Sequence, residues 1–401
     1  MLAERAVRKI VVFPLRFWQR LSIARQIRQQ IVVCEQSKIA ALPAEQLRQR
    51  TFRFINDMAI SDEPRMGFRY ARSQREPVLY ASLYAALNCH LYGALDVWPT
   101  ETKASWLDSI LAYQCNDGMF RDPAIDCPFA SEVSWWGWQH LTLHAIMAVT
   151  ALGGVVTRPF AFASRFLQRS YLIDWLESRN WRSDAVNVGN EVQNVGVILQ
   201  YARDYQNDTA AGRAVEWMLD WLAARQDPQA GSWGTFPNTR EGRSRCVQTG
   251  YHLWLLFFYD QRPVRHMGRI VDLALQTQNG FGGFGTRPNS SACEDIDSID
   301  PLVRISLLTD YRRDEVLRAL RRSVNWVLAN FNQDGGAVFR RAEAFTYGHE
   351  KMHSGKDESA LFPTWFRTLS LAYLGQVLGD LEIGKFNWQF LNCPGHQFWK
   401  P

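Results

Sequence analysis

Four carboxylates crowd the stretch Cys293-Glu294-Asp295-Ile296-Asp297-Ser298-Ile299-Asp300-Pro301. It follows a glycine-rich turn, Gln278-Asn279-Gly280-Phe281-Gly282-Gly283-Phe284-Gly285. Glu294, Asp295, Asp297 and Asp300 cannot all ionise comfortably if partly buried, so at least one should hold its proton near neutral pH. A protonated carboxyl is what protonation of an alkene or epoxide requires, with aromatic faces to stabilise the cation that results. Asp297 is the candidate acid and Asp295 its partner. The competing expectation is structural. Asp300 would cap the helix that Pro301 opens, and the others would be solvated or paired with Arg287 and Arg304.

Other candidates for a ligand site are aromatic or polar. Trp135, Trp136 and Trp138 fall in one short run, Tyr251 and His252 in another, Trp365 and Arg367 in a third. Each Trp alone is equally explained by packing between helices. Asn190 and Glu191, with Asn187 and Asn194, form a polar stripe on an otherwise apolar segment, and such a stripe needs partners, either each other or a ligand. Arg245, with Arg240 and Arg243, and a second group at Arg65, Arg69, Arg72 and Arg75, would suit a diphosphate or a sugar acid. Pairing with acidic neighbours accounts for them equally well. His349-Glu350-Lys351-Met352-His353 matches HExxH, but Gly348 and Gly355 flank it and argue for a loop. His349 is therefore expected to be a polar group at the site and not a zinc ligand. No metal or cofactor is expected. There is no GxxxxGK phosphate loop, and nothing specifies nucleic acid.

The elements that must position these groups repeat. An amphipathic segment is followed by one apolar almost all round, six times over. The apolar members cover about 77–92, 133–152, 190–205, 246–259, 301–308 and 362–378. The amphipathic ones cover about 45–60, 102–114, 163–178, 213–226, 267–278 and 314–331. Gln and Gly recur where the amphipathic member ends: Gln114…Gly118, Gln226…Gly231, Gln278…Gly280 and Gln333…Gly335. Glycine supplies the positive φ that ends a helix, and glutamine bonds exposed backbone. Six buried helices alternating with six half-buried ones predict an all-α fold, an (α/α)6 toroid over residues 45–380. The long connections and the inner-helix N-termini would share one mouth. A basic amphipathic extension (1–44) precedes it and a tail (381–401) follows.

These Gln…Gly…Trp/Phe turns resemble the QW repeats of squalene and oxidosqualene cyclases and the glycine-rich repeats of protein prenyltransferase β-subunits. The resemblance covers roughly residues 45–380. It implies an α/α toroid and isoprenoid chemistry. Where class II terpene cyclases carry DxDD, with the middle Asp as proton donor, this chain reads Asp295-Ile296-Asp297-Ser298, so two of the three Asp match. The prenyltransferase zinc site reads Asp-x-Cys, and here the order is Cys293-Glu294-Asp295, so that site does not carry over.

Composition bounds the rest. The chain has 401 residues, 47% hydrophobic, with 16 Trp and a formal net charge of +5. Seven scattered cysteines without a CxxC pair suit reduced thiols and a cytoplasmic protein. Neither a membrane-spanning run nor a secretory signal is evident. At the N-terminus, Arg5, Arg8, Lys9, Arg16 and Arg20 alternate with Phe13, Phe17 and Trp18. That pattern suits an interfacial helix on an anionic membrane surface, peripheral on its inner face; a helix packed on the body with solvated arginines is the alternative. The expected function is a terpene-cyclase-like or prenyl-chain-processing enzyme acting on a hydrophobic isoprenoid-type molecule. A carbohydrate-active (α/α)6 enzyme and a non-catalytic lipid- or glycan-binding toroid are the rivals.

Overall fold

The computed structural model describes residues 21–31, 44–62, 65–125 and 136–400. The described chain is mainly helical. Helix α1 spans 21–31. Six helices are buried on nearly every side: α3 (Leu79–Leu91), α5 (Trp138–Ala151), α7 (Ala185–Tyr205), α9 (Arg240–Tyr259), α11 (Ala292–Leu308) and α13 (Leu361–Gly375). Between them run α2 (Ala44–Met58), α4 (Thr100–Leu111), α6 (Arg169–Glu177), α8 (Thr209–Arg225), α10 (Met267–Leu275) and α12 (Arg313–Leu328), with short α14 (Glu382–Lys385) last. Each of these bears one apolar stripe. In α12, Val316, Leu320, Val324 and Val327 are buried while Arg318, Arg321 and Arg322 face out. The alternation of helix types was therefore legible, as was the all-α class.

The buried helices pack in sequence order: α3 on α5, α5 on α7, α7 on α9, α9 on α11 and α11 on α13. The last then packs on the first, α13 on α3. The turns that end the outer helices share one construction. Gln114, Gln226 and Gln278 each donate a side-chain N–H back to a carbonyl within the turn, at Gly118 (2.9 Å), Gly231 (2.7 Å) and Gly282 (3.0 Å). Gln278 also donates to the Ala319 carbonyl of the next outer helix at 2.8 Å. In the fifth turn the positive φ, 95°, belongs to Gly282 and not to Gly280. A Cβ at Gly282 would stand 2.4 Å from the Arg322 carbonyl, whereas Gly280 faces open space. In the sixth turn Phe331 takes the place of the glutamine, because Phe331 pairs with Ala337 as Gln278 pairs with Phe284. Gln333 lies two residues further on.

Two antiparallel hairpins interrupt the helices, β1 (Ala59–Asp62) with β2 (Arg65–Phe68) and β3 (Phe345–Thr346) with β4 (His353–Ser354). The tail folds inward against the buried helices. Its hydrogen bonds reach all six of them. Gln397 donates to the Leu87 carbonyl on α3 at 3.2 Å, and the His396 amide to the Met147 sulfur on α5 at 3.2 Å. Tyr205 of α7 donates to the Asn392 carbonyl. Lys400 reaches the Tyr259 carbonyl of α9 at 3.1 Å, and Arg304 of α11 donates to the Phe398 carbonyl at 2.8 Å. Trp365 of α13 donates to Gln397 Oε1 at 2.7 Å.

Three expectations change. Asp300 is not a helix cap: α11 begins nine residues earlier than expected, at Ala292, with Ser291 as N-cap and Glu294 completing a capping box. The four carboxylates therefore lie in the first turns of a helix, not in a loop. Arg287 pairs with Glu343, not with the carboxylate run. Of the basic extension, only α1 is described. It lies against the body through Ile23, Ile27 and Ile31, with Arg25 and Arg28 exposed. The expected interfacial residues Phe13, Phe17 and Trp18 lie outside the described residues, as does Trp135.

Candidate functional site

A cavity of about 620 Å³ opens where α7, α9 and α11 begin. Each helix presents a polar stripe at helical spacing: Asn187 and Asn190 from α7; Glu241, Arg245, Gln248 and His252 from α9; Ser291, Glu294 and Asp297 from α11. These stripes occupy N-terminal turns. On the facing side the chain from Phe339 to Gly348 contributes Phe339, Arg340, Phe345 and Tyr347. Deeper in, His140 of α5, Phe366 of α13 and His396 of the tail complete the wall.

Asp297 is 3% exposed and makes no hydrogen bond or ion pair among the described residues. Burial pushes its carboxyl well above the usual range, and the charges of Glu294, Asp295 and Asp300 push it further. Both causes favour its protonated form. Its main-chain carbonyl is also left without the ordinary helical donor, because the residue four on is Pro301.

The neighbouring carboxylates are all engaged. Asp295 is fully buried behind the cavity wall. It accepts from the Phe284 amide (2.7 Å), Ser290 Oγ (2.8 Å), Trp326 Nε1 (2.8 Å) and the Arg367 guanidinium. Burial raises its pKa and these four donors pull it back. Arg367 also donates to the Ser290 and Phe339 carbonyls, both at 3.1 Å. Asp295 and Arg367 thus bind the loop before α11 to α13, and neither faces the cavity. Glu294 pairs with Arg340 at 2.7 Å. Asp300 accepts from Arg304 Nε at 2.5 Å, and burial pushes its pKa up to about 6.

The histidines lie opposite. His140, His252 and His396 line the cavity and His144 stands behind His140, their ring centroids 4.3 Å apart. All four are held neutral, chiefly by burial: His252 is down to about 3, His144 to about 4, and His140 and His396 lie well below the usual value. His140 sits between two phenols, Tyr80 Oη 2.8 Å from Nδ1 and Tyr347 Oη 3.1 Å from Nε2. His252 Nδ1 lies 2.6 Å from Gln193 Oε1.

Asp297, Asn190, Arg245 and His252 are thus the expected site residues that the fold gathers around one cavity. The others serve elsewhere. Trp136 is buried against Tyr80, with Gly348 laid on its ring. Trp138 carries the Arg121 guanidinium 4.1 Å above its ring. Glu191 turns outward to Arg179 at 3.5 Å, and burial raises its pKa to about 7. Tyr251 reaches His396 Nδ1 at 3.3 Å, and Trp365 holds the tail. His349 Nδ1 accepts from the Lys351 amide at 3.2 Å, while His353 Nδ1 stands 2.8 Å from Thr346 Oγ1. Among the described residues, no three His, Cys, Asp or Glu are grouped to hold a metal ion. No described Trp lines the cavity; Phe339, Phe345, Tyr347 and Phe366 do. Sequence reasoning passed over Phe339, Phe345, Tyr347, His144 and His396, whereas His140 and Phe366 fall within the runs around Trp138 and Trp365 that were expected to line one cavity. The four-residue spacing of His140 and His144 on an apolar helix was the available signal.

No protein-family model matches the chain. No curated protein matches it either. Among solved structures it is similar to the crystal structure of a protein from Actinoplanes, at 13% identity and a TM-score of 0.42, over 82% of this chain and 98% of that one.

Proposed function

We propose that the chain is an (α/α)6 toroid and an enzyme of terpene-cyclase-like or prenyl-chain-processing type, with Asp297 as its proton donor. The packing of α13 back on α3 supports the ring. The function rests on one observation: a buried carboxyl without a hydrogen-bond partner among the described residues, facing a cavity with aromatic walls. Such an acid gives its proton to an alkene carbon, or to an epoxide oxygen whose C–O bond then breaks, and is left as the conjugate base. The aromatic faces of Phe339, Phe345, Tyr347 and Phe366 attract the cation so formed. Loss of a proton from that cation then restores a double bond. Asp295 is not part of this step in our proposal; its role is to fix the start of α11.

A second reading is favoured by the polar stripes. Glu241 and Asp297 both line the cavity, beside Asn187, Asn190 and Arg245. Two carboxyls among such groups also suit glycoside hydrolysis, one as acid and the other as base or nucleophile. Mass spectrometry of ligand retained by the purified protein separates the two. A prenyl compound is expected, and a retained oligosaccharide would transfer the proposal to the second reading.

Membrane association through residues 1–33 is part of the same proposal, as a means of access to apolar substrates. Among the described residues no helix is long and apolar enough to cross a membrane. The intact chain should co-sediment with anionic liposomes, and a chain lacking residues 1–33 should remain in the supernatant. Equal pelleting of the two would remove this element.

A further inference from the structure

Charge is distributed unevenly along the cavity. Its charged residues stand towards the opening: Glu241 and Arg245 in the first turns of α9, Glu294 with its partner Arg340, and exposed Arg287. The wall of His140, His252, His396, Phe366 and Asp297 is more enclosed, and burial lowers the imidazole pKa values and raises that of the carboxyl, so each is pushed towards its uncharged form. A gradient of this kind fits an amphiphile whose polar head stays at the rim while its hydrocarbon chain goes in.

The end of that path is made by the tail, not by a ring helix. His396 is 3% exposed and its backbone is held at both ends. Its amide bonds to Met147 and its carbonyl accepts from Tyr373 Oη. Gly395 before it has φ 135° and lies so close to Met147 that a Cβ would meet the sulfur at 2.3 Å. Gln397 after it is tied to α3 and α13. The backbone is therefore fixed while the imidazole projects, its ring centroid 5.7 Å from that of His144 and 5.6 Å from that of Phe366. A change of side chain at 396 alters cavity depth without moving the wall.

We propose that His396 is the floor of the isoprenoid site and sets the length of prenyl chain it accepts, with the head group left at the rim beside Asn190, Arg245 and Gln248. This rests on the isoprenoid reading above. Geraniol, farnesol and geranylgeraniol would be titrated against the full chain, following tryptophan fluorescence and thermal shift. Wild type, His396→Ala and His396→Trp would be compared after circular dichroism has confirmed their fold. The Ala variant should move its preference to a chain longer by one isoprene unit, gaining about tenfold or more for it, since a single methylene is already worth about that factor in a fitted apolar pocket. The Trp variant should move in the opposite direction. If wild type binds these alcohols and neither folded variant changes its preference, the floor assignment is overturned and the isoprenoid reading stands. If wild type binds none of them, the isoprenoid reading fails and the floor assignment fails with it. Should the Ala variant not fold, the shift towards shorter chains in the Trp variant decides the question.

Discussion

Asp297 is a carboxyl that receives no donor among the described residues, while Asp295, two residues away, receives four. The contrast follows from helical geometry: two residues apart on α11 point to different sides, one to the cavity and one to the Arg367 side. Asp297→Asn should lower turnover at least about a hundredfold. The same change should not destabilise the protein at neutral pH. An unfolded chain releases this proton near pH ~4, whereas the folded chain keeps it to a much higher pH. The folded state thus loses stability as pH rises above ~4, by up to about 1.4 kcal/mol per pH unit, until the raised pKa is reached. Asn carries no such liability, so the Tm of Asp297→Asn relative to wild type should grow between mildly acidic and mildly basic pH. A constant difference would mean that Asp297 is ionised in the native state. Wild-type turnover should fall with rising pH through the same pKa. Arg367→Met should behave oppositely in stability. It strands the buried Asp295 carboxylate, at about 3–5 kcal/mol, and adding Asp295→Asn should recover part of that loss. Urea titration of the three variants measures it.

At the scale of elements, the turn between α10 and α11 separates two glycines that the amino-acid pattern cannot tell apart. Gly282→Ala should cost more than about 1 kcal/mol, because it combines a positive φ with a carbonyl 2.4 Å from the new Cβ. Gly280→Ala meets open space and should be neutral or stabilising, by no more than about 1 kcal/mol. Equal effects on the urea midpoint would contradict this assignment of the turn. The error in the expected turn is small, and so are most errors in the helices, because apolar periodicity is long-range within a helix and survives a misplaced end. Several helix starts were missed by more, among them those of α9 and α11. The onset of α9 was expected at 246 and lies at Arg240; that of α11 was expected at 301 and lies at Ala292. Both missing turns are polar, and an apolar pattern cannot announce them. Glu241 and Arg245 in the one, and Glu294 and Asp297 in the other, line the cavity. The site therefore lay in the part of each helix that hydrophobic pattern hides, although Asp297, Asn190, Arg245 and His252 could be picked by residue type. Trp136, Trp138 and Trp365 were picked because they stand where buried helices open, and that position does not say which way a ring faces.

The whole molecule is joined by the tail as much as by the helices. Arg304 and Asp300, both buried, meet at its end, and the guanidinium lies over the rings of Phe258, Tyr373, Phe398 and Trp399. Deletion of residues 391–401 should expose that charge pair, lower the Tm, and raise hydrogen exchange in all six buried helices. A rise confined to α13 would show that the tail is only a local strap. The tail carries Phe386, Trp388, Phe390, Phe398 and Trp399, an apolar content that suits burial but does not show where they pack. Its placement depends on Gly395, on hydrogen bonds to six separate helices, and on a space that exists only once those helices are together. The order of events in folding follows from that placement. The contact of α13 with α3 joins residues far apart in the chain, and closing so long a loop adds little to the equilibrium cost because that cost grows only with the logarithm of length. Its effect on rate is larger, since non-local contacts slow the approach to the native state. The tail bonds to all six buried helices, so its docking should follow their assembly, and burial of His396 should report that step.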